Sequence, residues 1–279
     1  MIHKQQLHAL YGLKWNPFLP DVPTDALVAD EATKRFCWRV EQAVIDGGFV
    51  LVTGDAGSGK SVTMRHLSAH LSDINELAVR TLTRPQSNVR DFYREMAEMF
   101  DVPSKSSNRF GSFASLRAAW QSHIKASLFR PVLLIDEAQE VPNEVLNELR
   151  LLSSMNLDSR CILAVVLAGD GRLPIKLRES SLLPLESRIR TRHHLDKRPQ
   201  VELVDILSRM LESAGSPELM TAGTIQALAE HAMGNLRALM LMSNELLTAA
   251  AERKQRQIDE DLFMDVFKAS LKKKRSNKS

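Results

Sequence analysis

The sequence predicts an α/β fold: a mostly parallel sheet covered by helices, followed by a small all-helical domain. Three observations carry this prediction. Short runs of apolar, largely branched residues at Phe49–Thr53, Leu77–Leu82, Pro131–Ile135 and Cys161–Ala168 read as strands, several with no polar alternation, as expected when both faces are buried. Segments with helical spacing separate these runs, the alternation that produces parallel strands joined by crossover helices. Residues 199–268 then hold helical periodicity and no strand pattern.

Taken in order, residues 1–23 read as an N-terminal arm on the body, punctuated by Pro17, Pro20 and Pro23 and anchored by Tyr11, Trp15 and Phe18. The α/β domain spans 24–198. It opens with a helix over 25–46, whose apolar face is Ala32, Phe36, Val40, Ala43 and Val44. Thr24 is a suitable cap, and Asp46-Gly47-Gly48 is a stop. The strand Phe49–Thr53, a glycine-rich turn, a helix from about Lys60 to Leu71 and the strand Leu77–Leu82 follow. Helices are expected at 87–100 and 111–128, with the Ser/Lys/Asn-rich stretch Asp101–Arg109 as a loop between them. After the strand Pro131–Ile135, Pro142 suits a first helical turn, and Val145, Leu149 and Leu152 continue one face. Cys161–Ala168 and a shorter piece, Arg188–Leu195, complete the sheet. Helices at 200–213, 221–231, 235–252 and 258–269 form the second domain, 199–269, and 270–279 is a basic tail.

The chain has 279 residues, enough for a full core with a smaller companion domain. Its 37 basic and 34 acidic residues leave a formal charge of +3, too small an excess to imply a nucleic-acid partner by itself. Cys37 and Cys161 are far apart and outside any CxxC pattern, as for free thiols in a reducing compartment. No run reaches the ~18 apolar residues of a membrane span, and the first residues lack a secretory apolar stretch. A cytoplasmic protein without a membrane partner is the expectation.

The chemistry concentrates after the first strand. Gly54-Asp55-Ala56-Gly57-Ser58-Gly59-Lys60-Ser61, extended by Val62, matches G-x-x-x-x-G-K-[ST], the phosphate-cradling loop. Its glycines let successive N–H groups face a phosphate, and the helix that follows adds its unpaired donors. Lys60 is expected on the β- and γ-phosphates and Ser61 on Mg²⁺. Val132-Leu133-Leu134-Ile135-Asp136-Glu137 places two carboxylates at the C-terminal end of a buried strand, where open α/β sheets bind ligands. Asp136 would hold the metal with Ser61, and Glu137 would orient the attacking water. ATP and Mg²⁺ are therefore the expected cofactors, and hydrolysis the expected reaction. Asp170 ends the strand Cys161–Ala168 and lies either near the γ-phosphate or at the cap of a helix starting near Arg172. Arg188, Arg190 and Arg192 alternate, so an extended strand would project all three to one side. They are candidate arginine fingers acting in trans, or a basic strand edge. Arg237 lies in the first turn of a helix, where a cation is disfavoured unless an anion compensates; it either meets a nucleotide phosphate or faces water.

Together these motifs resemble the AAA ATPases encoded beside transposases, the TniB and TnsC kind, and the related ATPase domain of the secretion protein ExeA. The resemblance runs from Tyr11 to about Phe267. It rests on Tyr11-Gly12-Leu13-Lys14-Trp15-Asn16-Pro17-Phe18, the phosphate loop, Leu82-Thr83-Arg84-Pro85-Gln86, Leu134-Ile135-Asp136-Glu137-Ala138-Gln139, Leu149-Arg150-Leu151-Leu152-Ser153 and Gly234-Asn235-Leu236-Arg237-Ala238-Leu239. It implies an AAA P-loop NTPase fold with a helical lid. It also implies Asp170 at the sensor-one position, Arg237 at sensor two, and Arg188 or Arg190 as the trans finger. Its transposon members imply a homo-oligomer, ring or helical filament, that assembles on double-stranded DNA, marks a target and recruits a DDE transposase. Candidate DNA contacts are Arg84, Arg90, Lys105 and Arg109, with Lys272, Lys273, Lys274 and Arg275 of the tail. The alternatives are an ExeA-type secretion-associated ATPase or a helicase-loader-like ATPase. The absence of a peptidoglycan-binding or membrane-crossing part before Ser279 favours the DNA reading.

Overall fold

The computed structural model describes residues 4–23, 31–103, 109–126, 130–155 and 160–267. The chain divides into two compact units, one within Ala29–Asp55 and Lys60–Leu195, the other within Met1–Val28, Ala56–Gly59 and Asp196–Ser279.

The first helix, α1 (Lys4–Tyr11), belongs to the second of these units. The α/β unit begins with α2 (Glu31–Asp46), β1 (Gly48–Gly54), α3 (Lys60–Ser72), β2 (Leu77–Leu82), α4 (Val89–Met99) and α5 (Arg109–Lys125). It continues through β3 (Arg130–Ile135), a 3₁₀ turn Ala138–Glu140, α6 (Asn143–Ser153), a short antiparallel pair β4 (Ser154–Met155) and β5 (Arg160–Cys161), then β6 (Ala164–Gly169). Two short helices, α7 (Arg172–Leu177) and α8 (Leu183–Glu186), lead into β7 (Ile189–Leu195).

Five strands form a parallel sheet in the order β2-β3-β6-β1-β7. Both faces are covered, which explains the unbroken apolar runs. Because side chains alternate along a strand, Phe49, Leu51, Leu133, Ile135, Val165 and Leu167 join Phe92, Tyr93, Leu116, Trp120 and Leu149 of α4, α5 and α6 in one core. Val50, Val52, Val132, Leu134, Val166 and Ala168 face the other way, onto Phe36, Val40, Met64 and Leu67 of α2 and α3.

Several expected boundaries shift. The run Cys161–Ala168 is not one strand. Cys161 pairs with Ser154 in the small antiparallel sheet, and the parallel strand starts at Ala164. Every residue from Ile162 to Ala168 is buried, so an apolar run alone does not show where pairing begins. Arg188 lies outside β7, in the turn after α8. Helix α5 starts at Arg109, so this residue belongs to a helix and not to the expected loop. Thr24 lies outside the described residues, as do Lys105 and the tail residues Lys272, Lys273, Lys274 and Arg275.

Arg109 is anchored within the α/β unit. Its guanidinium binds the carboxylate of Glu148, which is buried on α6 and also accepts from the hydroxyl of Tyr93 on α4. Burial, reinforced by that carboxylate, pushes the Tyr93 hydroxyl pKa upward, so the phenol stays a donor. Replacing Glu148 by Ala removes the acceptor of a buried hydroxyl and should cost about 1–3 kcal/mol in denaturant unfolding. A loss near zero would show that water satisfies Tyr93.

The helical unit contains α9 (Gln200–Ser213), α10 (Ala222–His231), α11 (Leu236–Glu252) and a further helix over 260–267. Leu203, Leu207, Leu228, Leu239, Leu246 and Leu247 build its core, joined by Leu7, Tyr11, Leu13 and Phe18 from the N-terminal arm. Lys14 N–H donates to Ala214 O at 2.9 Å, and Asn16 Nδ2 to Asn244 Oδ1 at 2.8 Å. The arm is thus part of the helical unit's packing.

Candidate nucleotide-binding and hydrolysis site

The phosphate loop grows out of the geometry at the end of β1. Gly57 and Gly59 take φ values of 81° and 101°, a region that side chains rarely adopt, and this lets the main chain curl between strand and helix. Gly57 has a second constraint: a Cβ there would sit 2.2 Å from Asn235 Oδ1. Asn235 caps α11, accepting from Ala238 N–H at 3.0 Å, while its amide donates to Ala56 O at 3.0 Å. Arg237 N–H donates to Gly57 O at 3.3 Å, so the first turn of α11 is tied to the loop by its backbone while the Arg237 side chain is exposed. Ser58 is buried, and its hydroxyl has no hydrogen-bond partner among the described residues. An oxygen-rich ligand such as a phosphate fits that unmet donor.

In the α/β unit, Lys60 opens α3. Its ammonium is buried and donates to Gly54 O at 2.8 Å and Asp55 O at 2.9 Å, folding back onto the end of β1. Ser61 Oγ donates to Asp136 Oδ2 at 2.8 Å. A hydroxyl and a carboxylate brought together in this way are hard oxygen donors of the kind Mg²⁺ takes, and both side chains retain an exposed or partly exposed face. The second carboxylate oxygen of Asp136 accepts from Glu137 N–H at 2.9 Å.

Glu137 follows directly and is exposed. Its backbone is left-handed, at φ 51° and ψ 40°, a strained conformation for a residue with a Cβ. That turn follows the end of β3. Gln139, in the 3₁₀ turn, donates from its amide to Glu137 Oε2 and accepts from Asp170 N–H at 3.3 Å. The sequence marks Gln139 only as one letter of a motif. Asn235 is likewise marked only as one letter of a motif.

Asp170 follows β6 directly and lies just before α7. Its carboxylate accepts from Arg172 N–H at 2.9 Å and is gripped by the Arg172 guanidinium at 2.8–3.1 Å. Arg172 holds the Asp170 carboxyl below the usual carboxylate range, with a smaller contribution from the charge of Lys60. The same guanidinium reaches Glu140 at 2.9 Å. In this arrangement the Asp170 side chain is occupied by Arg172.

The alternating arginines do not form one row. The β1–β7 register slips between Phe49 and Val50, leaving Arg190 as the extra residue of a bulge. Arg188 folds back onto Pro184 O, and Arg192 pairs with Glu186 at 2.6 Å. Arg190 is exposed and lies against Gly48, at the opposite end of β1 from Gly54. The intervening residues of β1 span roughly 15 Å, so Arg190 is remote from the loop of its own chain.

A parallel sheet whose phosphate loop is followed by a buried lysine and a Ser–Asp pair has the fold of an AAA ATPase domain, a fold that supports ATP hydrolysis. A family profile described as an AAA domain matches residues 45–177. The General secretion pathway protein A of Aeromonas hydrophila is 31% identical over 214 residues, 74% of this chain. The chain spans 38% of that relative's length. Among solved structures, the ORC2 protein of Aeropyrum pernix in its ADP form superposes with a TM-score of 0.72 at 15% identity, covering 92% of this chain and 72% of that one. Cdc6p of Pyrobaculum aerophilum gives 0.69 at 16% identity, covering 87% and 67%. The RuvB branch migration motor of Thermotoga maritima gives 0.56 at 18% identity, covering 87% and 70%. These similarities share the fold. Among the described residues, no helix is long and apolar enough to cross a membrane.

Proposed function

We propose that the chain is the ATPase engine of a secretion-linked assembly of the ExeA kind, working as a homo-oligomer that changes state with ATP hydrolysis. The observation that supports this kind over others is the 31% identity to the secretion protein over 214 residues, which reaches well beyond the phosphate loop. In this reading Gly54, Asp55, Ala56, Gly57, Ser58, Gly59, Lys60, Ser61 and Val62 hold the triphosphate, with Ser61 and Asp136 on Mg²⁺. Mg²⁺ held there would supply neutralisation of the triphosphate's charge. Glu137 orients water. Arg237 acts at the sensor-two position. Arg190, remote from Gly54 of its own chain, is assigned in this reading to a neighbouring subunit's nucleotide, with Arg188 as the second candidate.

A second reading keeps the engine and changes the partner. Arg84 and Arg90 are exposed around the connection from β2 to α4, and a duplex-DNA role with a DDE transposase would use them. ATP turnover with and without duplex DNA, at several salt concentrations, separates the two. The secretion-linked reading expects a rate indifferent to DNA. A DNA-stimulated rate that falls steeply with salt, at about 0.9 in the log–log binding slope per phosphate contacted, would replace it with the second.

A further inference from the structure

The amide of Gln139 is the piece of the site whose geometry is most completely specified and whose role is unassigned. Its side chain is buried at 7% exposure. The main-chain N–H of Asp170 is a fixed donor, so the Gln139 oxygen must face it, at 3.3 Å. This choice leaves only the NH₂ end to face Glu137, where it donates to Oε2. The main-chain carbonyl of Gln139 is held by Lys176 Nζ at 2.9 Å, and Lys176 also donates to Val141 O. The end of β6 makes room for it: a Cβ on Gly169 would come 2.5 Å from Gln139 Oε1. The neighbouring charges are committed elsewhere, Asp170 and Glu140 both to Arg172.

We infer that Gln139 is a positioning residue for hydrolysis, a neutral clamp that fixes the Glu137 carboxylate by tying it to the end of β6. Glu137 is exposed and sits on a left-handed residue, so its own backbone and packing do not set its direction. The Gln139 amide does. A donor on one oxygen fixes the side-chain torsions and leaves the other oxygen to accept from water. The bond also ties Glu137 to the strand that carries Asp170, so a shift at the end of β6 moves the carboxylate. This rests on the assignment of Glu137 as the water-orienting group.

Three variants test it. Gln139→Met keeps the volume and the apolar packing but removes both hydrogen-bonding ends. It should bind ATP as the parent does and lose kcat by on the order of 10- to 100-fold, the scale expected from a misplaced catalytic group. Gln139→Glu keeps the shape and the acceptor for Asp170 N–H, but sets a second carboxylate against Glu137, and should lose at least as much kcat. Gln139→Met combined with Glu137→Gln should be no slower than Glu137→Gln alone, because the clamp then has no carboxylate to position. A merely structural role would lower thermal stability and ATP affinity and would add its effect to that of Glu137→Gln. Parental kcat in either single variant, or additivity in the double variant, overturns the proposal. Should Gln139→Met fail to fold, Gln139→Glu decides by the same split of kcat against ATP affinity. Parental turnover in Glu137→Gln would overturn the underlying assignment as well, and so distinguishes a wrong Glu137 from a wrong Gln139.

Discussion

Glu137→Gln should bind Mg·ATP as the parent does and turn it over on the order of 10²-fold or more slowly, the usual worth of a positioned general base. The substitution is isosteric. It leaves untouched the Ser61–Asp136 contact of 2.8 Å and the Lys60 bonds to Gly54 O and Asp55 O. What it removes is the negative charge that aligns and polarises water, a contribution made in the transition state and absent from the ground state. Affinity should therefore survive while kcat falls. Nucleotide binding by fluorescence titration beside steady-state phosphate release makes the comparison. Turnover at the parental rate would remove Glu137 from the mechanism.

Lys60→Ala should fail one step earlier. The buried ammonium is positioned to trade two carbonyl contacts for phosphate oxygens, and a charge-assisted bond of that kind is worth about 1.5–3 kcal/mol. ATP affinity should drop roughly 10- to 100-fold. Hydrolysis at saturating ATP should fall too, because the lysine also meets charge developing on the transferred group. The variant also loses the donor that ties Gly54 O and Asp55 O, so a modest fall in melting temperature should accompany it. Unchanged ATP affinity in a folded Lys60→Ala protein would mean that backbone donors alone bind the nucleotide, and the role given to Lys60 would be wrong.

These two variants separate binding from chemistry, and the contrast between them is more informative than either alone. Subunit mixing extends the same logic to the arginines. If Arg190 acts in trans, Arg190→Ala and Glu137→Gln subunits, each slow by itself, should recover activity when mixed. An intact site on one would then meet an intact arginine on the other.

Much of the site was legible in the chain because its signals are local. A phosphate loop is eight consecutive residues whose function follows from backbone freedom and one lysine. The Asp136–Glu137 pair announces itself by ending a buried apolar strand. Arg190 shows the opposite. Strict alternation placed it in line with Arg188 and Arg192, yet a bulge opposite Phe49 and Val50 breaks that row, and bulges depend on the partner strand. Arg109 likewise read as a loop cation, until a buried Glu148 some 39 positions away in sequence captured it. Asp170 offered two readings, and the neighbouring guanidinium of Arg172 pairs with its carboxylate.

The sequence by itself determined the fold class and its local patterns, a phosphate-loop motif and two adjacent carboxylates ending a buried strand of a mostly parallel sheet, because each depends on residues adjacent in the chain and on the two-residue period of buried strands. The tertiary structure alone decided which side chains those groups lean on. Gln139 meets Asp170 across 31 positions, and Asn235 meets Ala56 across 179. Hydrogen bonds of this kind depend on where the folded backbone brings donors and acceptors to within about 3 Å, and no spacing along the chain encodes that distance.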